Sequence, residues 1–416
     1  METAVVEKKV SLLNNWLLLF IFAMILANIG GNMYGPLMPL YLQKLNASVA
    51  QVGLFFTLSR VIPLLLQIVG GYISDSLGRL RAIAIGSVVG IFTYVALIAA
   101  PTWQWVLLAT TFGAITGSLI GPSFDAFVAE HSDEANRGRI FALTQTIFGV
   151  VGVIGPVLGG WLVDKRDFRF MLFIAGAFYV VATLIRVGMA REAAKNTESK
   201  PKKLSFAGLK TNLSSMFALL TAGGVVTWIL LTDGIRDTSF SLSFDFMPIF
   251  MRDFAHLTTT QIGLTNSIFG IFMMLFMYPA GILSDKKGER VGISLGFFLI
   301  SISIGLLVFW PNPNMLTVSS GWALAGTGVG LMTPAYQSLI SKAVPRRMRG
   351  TAFGLFNSSI GLVSLPAPLI GSQLWEHVGP RFPFAITALV CCLSIIPVWL
   401  KFKIDRPVED EEEKAG

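Results

Sequence analysis

Charge is what this 416-residue sequence has least of: Asp, Glu, Lys and Arg make up 13% of it, against 53% hydrophobic residues and a mean hydropathy of +0.68. Soluble chains carry about a quarter charged residues, so this composition cannot cover a water-facing surface and excludes a soluble globular protein. Cysteine is scarce too. The two present, Cys391 and Cys392, are adjacent within one apolar run, which argues against a structural disulfide. The three histidines, His131, His256 and His377, have no metal-ligand spacing, so no metal is expected. A phosphate-cradling glycine loop and a nucleophile constellation are both missing, which argues against ATP-driven work and against membrane-bound catalysis; no cofactor is expected.

What is abundant is apolar runs near the 20 residues needed to cross about 30 Å of hydrocarbon. They recur from Trp16 to Trp399 and segment into twelve helices. The first lacks a small-residue cleavage site and is followed at once by a second run, so it reads as a retained span rather than a signal peptide. The fold class expected is an all-α polytopic membrane protein in two six-helix bundles, 1–187 and 214–403. A basic connector is expected at 188–213 and an acidic tail at 404–416. With both termini inside, Lys44, Lys165, Arg166, Arg169, Arg252 and Arg381 face outward, Arg60 and Arg236 fall within spans, and the other 24 of the 32 Lys and Arg face inward. That bias is a positive-inside pattern and places the protein in the inner, or plasma, membrane with cytoplasmic termini. It also accounts for the net charge of +8 through an anionic leaflet, with no need of nucleic acid.

The halves repeat in parallel. Gly71-Tyr72-Ile73-Ser74-Asp75-Ser76-Leu77-Gly78-Arg79 returns at an offset of 210 as Gly281-Ile282-Leu283-Ser284-Asp285-Lys286-Lys287-Gly288-Glu289. Pro122, Arg137-Gly138 and Pro156 return at 212 as Pro334, Arg349-Gly350 and Pro368, and Met38-Pro39 returns at 209 as Met247-Pro248. Six spans per copy relate the copies by an axis along the membrane normal, a construction found in secondary transporters.

The segment Gly71 to Arg81 resembles the signature between the second and third helices of the major facilitator superfamily, and the likeness extends over about residues 12–403. The run Gly155-Pro156-Val157-Leu158-Gly159-Gly160 resembles the fifth-helix motif of that family's drug and proton antiporter branch. The fourth-helix arginine of that branch is missing, Ala109 standing where it would be, so proton coupling by that route is not expected.

The resemblance implies an inner gate built from Asp75, Gly78, Arg79, Glu130 and Arg137, with Asp285, Glu289, Lys342 and Arg349 as the second copy. The repeat itself supports a pairing there: Arg79 maps onto Glu289 while Glu130 maps onto Lys342, so both signs reverse together and opposite charges persist in each half. Other charges lie deeper. Arg60, about 22 Å along its helix from Asp75, either snorkels outward or serves an anion site or gate. Asp125 either buttresses the gate or, if buried, carries a proton. Asp233, Arg236 and Asp237 share one face of the seventh helix, with Asp245 further along. A single helix over 214–250 would be about 55 Å long, so either it breaks near Asp233-Gly234 or the triad lies close to the outer surface.

Uncharged candidates for the cavity are Asn28, Asn32 and Tyr34 in the first span, Gln145 in the fifth, Trp228 in the seventh, Tyr336 and Gln337 in the tenth and Asn357 in the eleventh; the matched pair Gln145 and Asn357 either meets substrate or bonds between helices. Small residues at Gly113, Gly117 and Gly121, and again at Gly326 and Gly330, suggest close helix approach, and those around Pro156 suggest a bent helix sealing one side of the pore.

The function expected is a monomeric, alternating-access secondary transporter, a proton-coupled exporter of small organic or amphipathic compounds. The alternative is a symporter or facilitator for a metabolite such as a sugar or organic anion. A sensor would need a sizeable soluble output domain, a scramblase would reuse the same scaffold, and a channel would need a filter-like segment, of which there is none.

Overall fold

A computed structural model describes residues 15–130, 136–196, 224–344 and 363–403. Within the first half the helices are α1 (Asn15–Tyr34), α2 (Met38–Lys44), α3 (Val49–Leu77), α4 (Arg79–Ala99), α5 (Trp103–Glu130), α6 (Arg137–Lys165) and α7 (Phe168–Asn196). The second half holds α8 (Gly224–Ser243), α9 (Met247–Asp253), α10 (Thr259–Lys287), α11 (Glu289–Phe309), α12 (Met315–Ala343), α13 (Ala367–His377) and α14 (Phe382–Lys401). No strand occurs among the described residues.

These elements build the twelve rods of the expected fold. The first span is α1 and α2 joined through a 3-10 turn at Gly35–Leu37, and the seventh is α8 and α9 joined through Phe244–Phe246. Pro39 and Pro248 each sit at the second position after the turn, where a residue without an N–H ends the upstream hydrogen-bond ladder. Nine helices among the described residues are long and apolar enough to cross a membrane. α8 misses that mark because Asp233, Arg236 and Asp237 interrupt it, and α13 is the described part of the eleventh span. Outward positions such as Leu184, Phe173 and Leu400 are exposed by more than half, as lipid-facing side chains are.

The repeat holds element by element. Adding 209 to the bounds of α1 and α2 returns those of α8 and α9, and adding 210 carries α3 and α4 onto α10 and α11. Matching capping boxes, Ser48 with Gln51 and Thr258 with Gln261, start α3 and α10. Gly78 and Gly288 close them at the same φ of 85°, where a side chain would be strained.

Several expectations are corrected. The seventh span is continuous through Asp233-Gly234 and breaks ten residues later, at Phe244–Phe246, because the Pro248 ladder gap and not Gly234 interrupts it. The triad is not at the outer surface either: Asp233 is fully buried. The sixth span, expected to end at 187, runs as helix to Asn196, and Arg186, assigned above to the inward charges, is 1% exposed. Its guanidinium bonds the Ser87 hydroxyl at 3.0 Å, the Ala23 carbonyl and the Met24 sulfur, holding α7 to α4 and α1. The glycine stripe divides. Gly326 and Gly330 press against the backbone of Phe269 and Met273 on α10, but a Cβ added at Gly117 or Gly121 would meet open space.

The halves meet along two crossings, α6 with α10 and α3 with α13. In the first, Gly160 lies on the Thr259 backbone, Gly263 on Pro156, and Gly149 beside Met274. One helical turn further toward Gly78 and Gly288, the next positions on the same faces are Gln145 and Tyr278; both are exposed, Tyr278 by 79%. Along this crossing the described residues of the two halves are therefore shut at the end carrying Asp164 and Thr259 and part toward the end carrying Gly78.

Candidate functional site

Between the halves lies a cavity of about 600 Å³, within the range of small-molecule sites. Its walls come mostly from α8 and α12: Arg236, Asp237, Phe240, Ser241, Phe244 and Asp245 on one side, and Val329, Met332, Thr333, Tyr336, Gln337 and Ile340 on the other. Phe269 of α10 completes the apolar part, and Arg60 of α3 reaches in from the first half.

Two ionic groups frame this space. Arg60 crosses the interface and donates from Nη2 to Asp245 Oδ2 at 2.7 Å, fastening α3 to the 3-10 turn of the seventh span. Phe244 and Asp245 also line a second cavity of about 160 Å³ on the closed side, so this turn partitions the two. Deeper along α8, Arg236 pairs with the buried Asp233 one turn earlier and donates from Nε and Nη2 to Asp237 Oδ1 at 2.9 and 2.6 Å. The Tyr336 ring lies 5.2 Å below the same guanidinium, which fixes Arg236 on a third side. Three carboxylates share two guanidiniums here, leaving an excess negative charge beside an aromatic wall. Of the three, Asp237 is the most exposed, at 31% of its side chain, and it lines the cavity.

Of the cavity candidates named from sequence, Arg60, Arg236, Asp237, Tyr336 and Gln337 line it, and Asp233 stands behind the wall. Others are placed elsewhere. Asn28 and Asn32 spend their amides on the carbonyls one turn back, Met24 and Asn28, at 2.8 and 2.9 Å. Tyr34 turns into the first half, edge-on to Tyr94. Trp228 is surface-exposed with Lys401 over its ring, and Gln145 is exposed on the parted face of α6. Asp125 is exposed on α5 and is not among the residues that line this cavity. Asn357 and Arg349 lie outside the described residues, as do the side chains of Asp75 and Arg137. Phe240, Phe244, Phe269 and Met332 were not singled out from sequence, because one phenylalanine among 32, or one methionine among 15, carries no local mark.

At the Gly78 end the structure brings each mapped charge pair together. Arg79 Nε donates to Glu130 at 3.2 Å, and Lys342 Nζ to Glu289 at 2.5 Å with the Ser338 hydroxyl on the same oxygen at 2.8 Å. Each pair ties the turn after the second or eighth span to the end of the fourth or tenth within its own half; Asp285 is exposed. Arg79→Glu is expected to slow transport several-fold, and the swap Arg79→Glu with Glu130→Arg to recover most of it. Strictly additive losses in a transport assay of the three variants would exclude the coupling.

Around Pro156 the glycines act as spacers. Gly155 and Gly159 sit against Asn32 and Met33 of α1, and Gly160 against Thr259 of the other half, so this one helix packs on both neighbours at backbone distance.

The sequence profile of the Major Facilitator Superfamily matches residues 20–242 and 234–416. A multi-drug resistance efflux pump PmrA homolog of Lactococcus lactis subsp. lactis (strain IL1403) is 28% identical over 383 residues, 88% of this chain and 90% of its own. A class C tetracycline resistance protein of Escherichia coli is 26% identical over 372 residues, 87% of this chain and 90% of its own. Among solved structures, a bacterial homologue of the iron transporter ferroportin in an inward-facing state superposes with a TM-score of 0.75 over 93% of this chain and 98% of that one. At 14% identity that likeness concerns the fold alone. The two-fold repeat, the central cavity between the halves and the profile match along the chain converge: this multi-pass membrane protein belongs to the major facilitator superfamily, a family of transporters for small molecules.

Proposed function

We propose that the protein is an efflux transporter that moves small amphipathic compounds out of the cell in exchange for protons, acting as a monomer in the plasma membrane with both termini cytoplasmic. The orientation rests on the excess of Lys and Arg toward the Gly78 end. In that frame the sealed end is outer and the cavity faces the cytoplasm, ready to load.

The observation that carries the reading is Asp237, a carboxylate facing a cavity of Phe240, Phe244, Phe269 and Tyr336. An aromatic wall takes apolar rings, and the surplus carboxylate takes either a cationic group or a proton, which makes the two compete. The names of two relatives, a multi-drug resistance efflux pump homolog and a tetracycline resistance protein, support the same direction. The alternative, a symporter or facilitator for an organic anion, leans on Arg60, but Asp245 already neutralises that guanidinium at 2.7 Å.

The test is purified protein in liposomes with an entrapped pH dye and tetraphenylphosphonium as the probe cation. Probe movement coupled to opposite proton movement is expected, with Asp237→Asn reducing coupled flux at least tenfold. Probe movement without proton flux, unchanged in Asp237→Asn, would replace this reading with facilitation.

A further inference from the structure

At the sealed end, two carboxylates not among the candidates named from sequence perform one task on opposite halves. Asp164, the penultimate residue of α6, accepts hydrogen bonds from the Thr259 and Thr260 backbone N–H groups at 3.2 and 2.8 Å and from both of their hydroxyls at 2.5 Å. Those threonines are the first two residues of α10, in the other half. Glu376, near the end of α13, accepts from the Ala50 N–H at 2.8 Å, and Ala50 is the second residue of α3, in the first half. Asp164 and Glu376 occupy one position of the internal repeat, 212 residues apart, and Ala50 and Thr260 another, 210 apart.

A helix leaves its first four N–H groups without partners inside the helix. On α3 and α10 the local capping boxes supply the N-cap and third-position N–H groups, through Ser48 with Gln51 and Thr258 with Gln261. The N–H groups at the first and second helical positions are left over. Asp164 takes both on α10 and Glu376 takes one on α3, and a carboxylate there also meets the positive end of the helix dipole. Each half therefore completes the cap of a helix in the other. Both carboxylates are exposed, so water can replace them when the halves part, which makes the contact reversible.

We propose that Asp164 and Glu376 are a pair of symmetry-related latches that hold the outer side closed by capping the opposite half's helices, and that they set how readily the transporter opens outward. Asp164 is the stronger of the two, with four hydrogen bonds against one. The assignment of this end as outer rests on the orientation proposed above, whereas the latch itself concerns only how the two halves are held.

The experiment measures the conformational equilibrium and not transport. Spin labels are placed at Thr102 and Asn312, exposed equivalents in the two loops at this end, in a full-length protein with Cys391 and Cys392 replaced by alanine. Their distance distribution is recorded in lipid nanodiscs without substrate. Asp164→Asn is expected to raise the ratio of the long-distance to the short-distance population about tenfold, the scale of losing hydrogen bonds to a charged group. Glu376→Gln should raise it less, the double variant should approach the product, and Asp164→Glu should stay near the parent. Glu376→Gln supplies a readout even if Asp164→Asn folds poorly. An unchanged distribution in Glu376→Gln together with Asp164→Asn, or an equal shift in Asp164→Glu, would overturn the latch. Absence of proton coupling in the liposome assay would leave the distances untouched, so the two readings fail separately.

Discussion

Replacing Arg236 by alanine is expected to reduce transport to background and to lower the thermal unfolding midpoint. Arg236 holds Asp233, which is fully buried, and Asp237, which faces the cavity, within one turn of α8. Without it a carboxylate is left in a site where water cannot replace the guanidinium. Removing one partner of a buried ion pair costs about 3–5 kcal/mol. Most of that cost belongs to Asp233, since Asp237 is about a third exposed and can turn to water. The double variant Asp233→Asn with Arg236→Gln removes the buried charge together with its partner, and is expected to restore the midpoint but not transport. Arg236→Lys keeps the charge but loses the two-point grip on Asp237 and the plane lying over Tyr336, and should fall between. Unfolding midpoints in detergent and probe counterflow in liposomes measure both effects. An Arg236→Ala protein with parental midpoint and more than half of parental transport would show that the triad is not an interdependent unit.

A valine at Gly160 is expected to stall the cycle while leaving the fold intact. A Cβ there collides with the Thr259 backbone, and the facing Gly263 has the same relation to the Pro156 carbonyl, so neither obstacle is a flexible side chain able to swing aside. Overpacking of this kind costs about 1–3 kcal/mol. That penalty falls only on the conformation in which α6 and α10 touch. Confined to one of two states, it shifts their ratio by about tenfold to a hundredfold, and the outward-open form becomes a sink. Initial transport rates should drop at least tenfold. A cysteine at Asn266, which lines the small cavity on the sealed side, should then react with a membrane-impermeant thiol reagent added outside. Unaltered labelling would mean that this crossing does not seal the pathway. Gly263→Val should behave in the same way, because the two glycines serve one crossing from opposite sides.

How much of this was legible beforehand depends on the length scale of each feature. The break in the seventh span shows the difference. The repeat pairs Met247-Pro248 with Met38-Pro39, but that match by itself does not say that the helix breaks there, and Asp233-Gly234 reads as the more disruptive pair; inside a packed bundle Gly234 continues the helix. The glycines of α5 illustrate the reverse. Their spacing is that of a packing stripe, yet Gly117 and Gly121 face open space, while Gly160 and Gly263, with no such period, lie directly on the backbone of the opposite half. The charge pairs of the Gly78 end were legible because a sign reversal shared by both copies records contact. Asp164 and Glu376 left no such trace, since a carboxylate bound to backbone N–H groups needs no particular side chain opposite it.

The sequence by itself determined that the chain crosses the bilayer repeatedly, is built twice in parallel and belongs among transporters. Those properties reside in the length of apolar runs and in turn residues recurring at a near-constant offset, which are local quantities. Tertiary structure alone decided which polar groups share the cavity, which carboxylates bridge the halves and which end is sealed. Each of these depends on how two bundles are placed against one another, and residues such as Arg60 and Asp245, 185 positions apart, acquire their meaning only once that placement brings their charges to 2.7 Å.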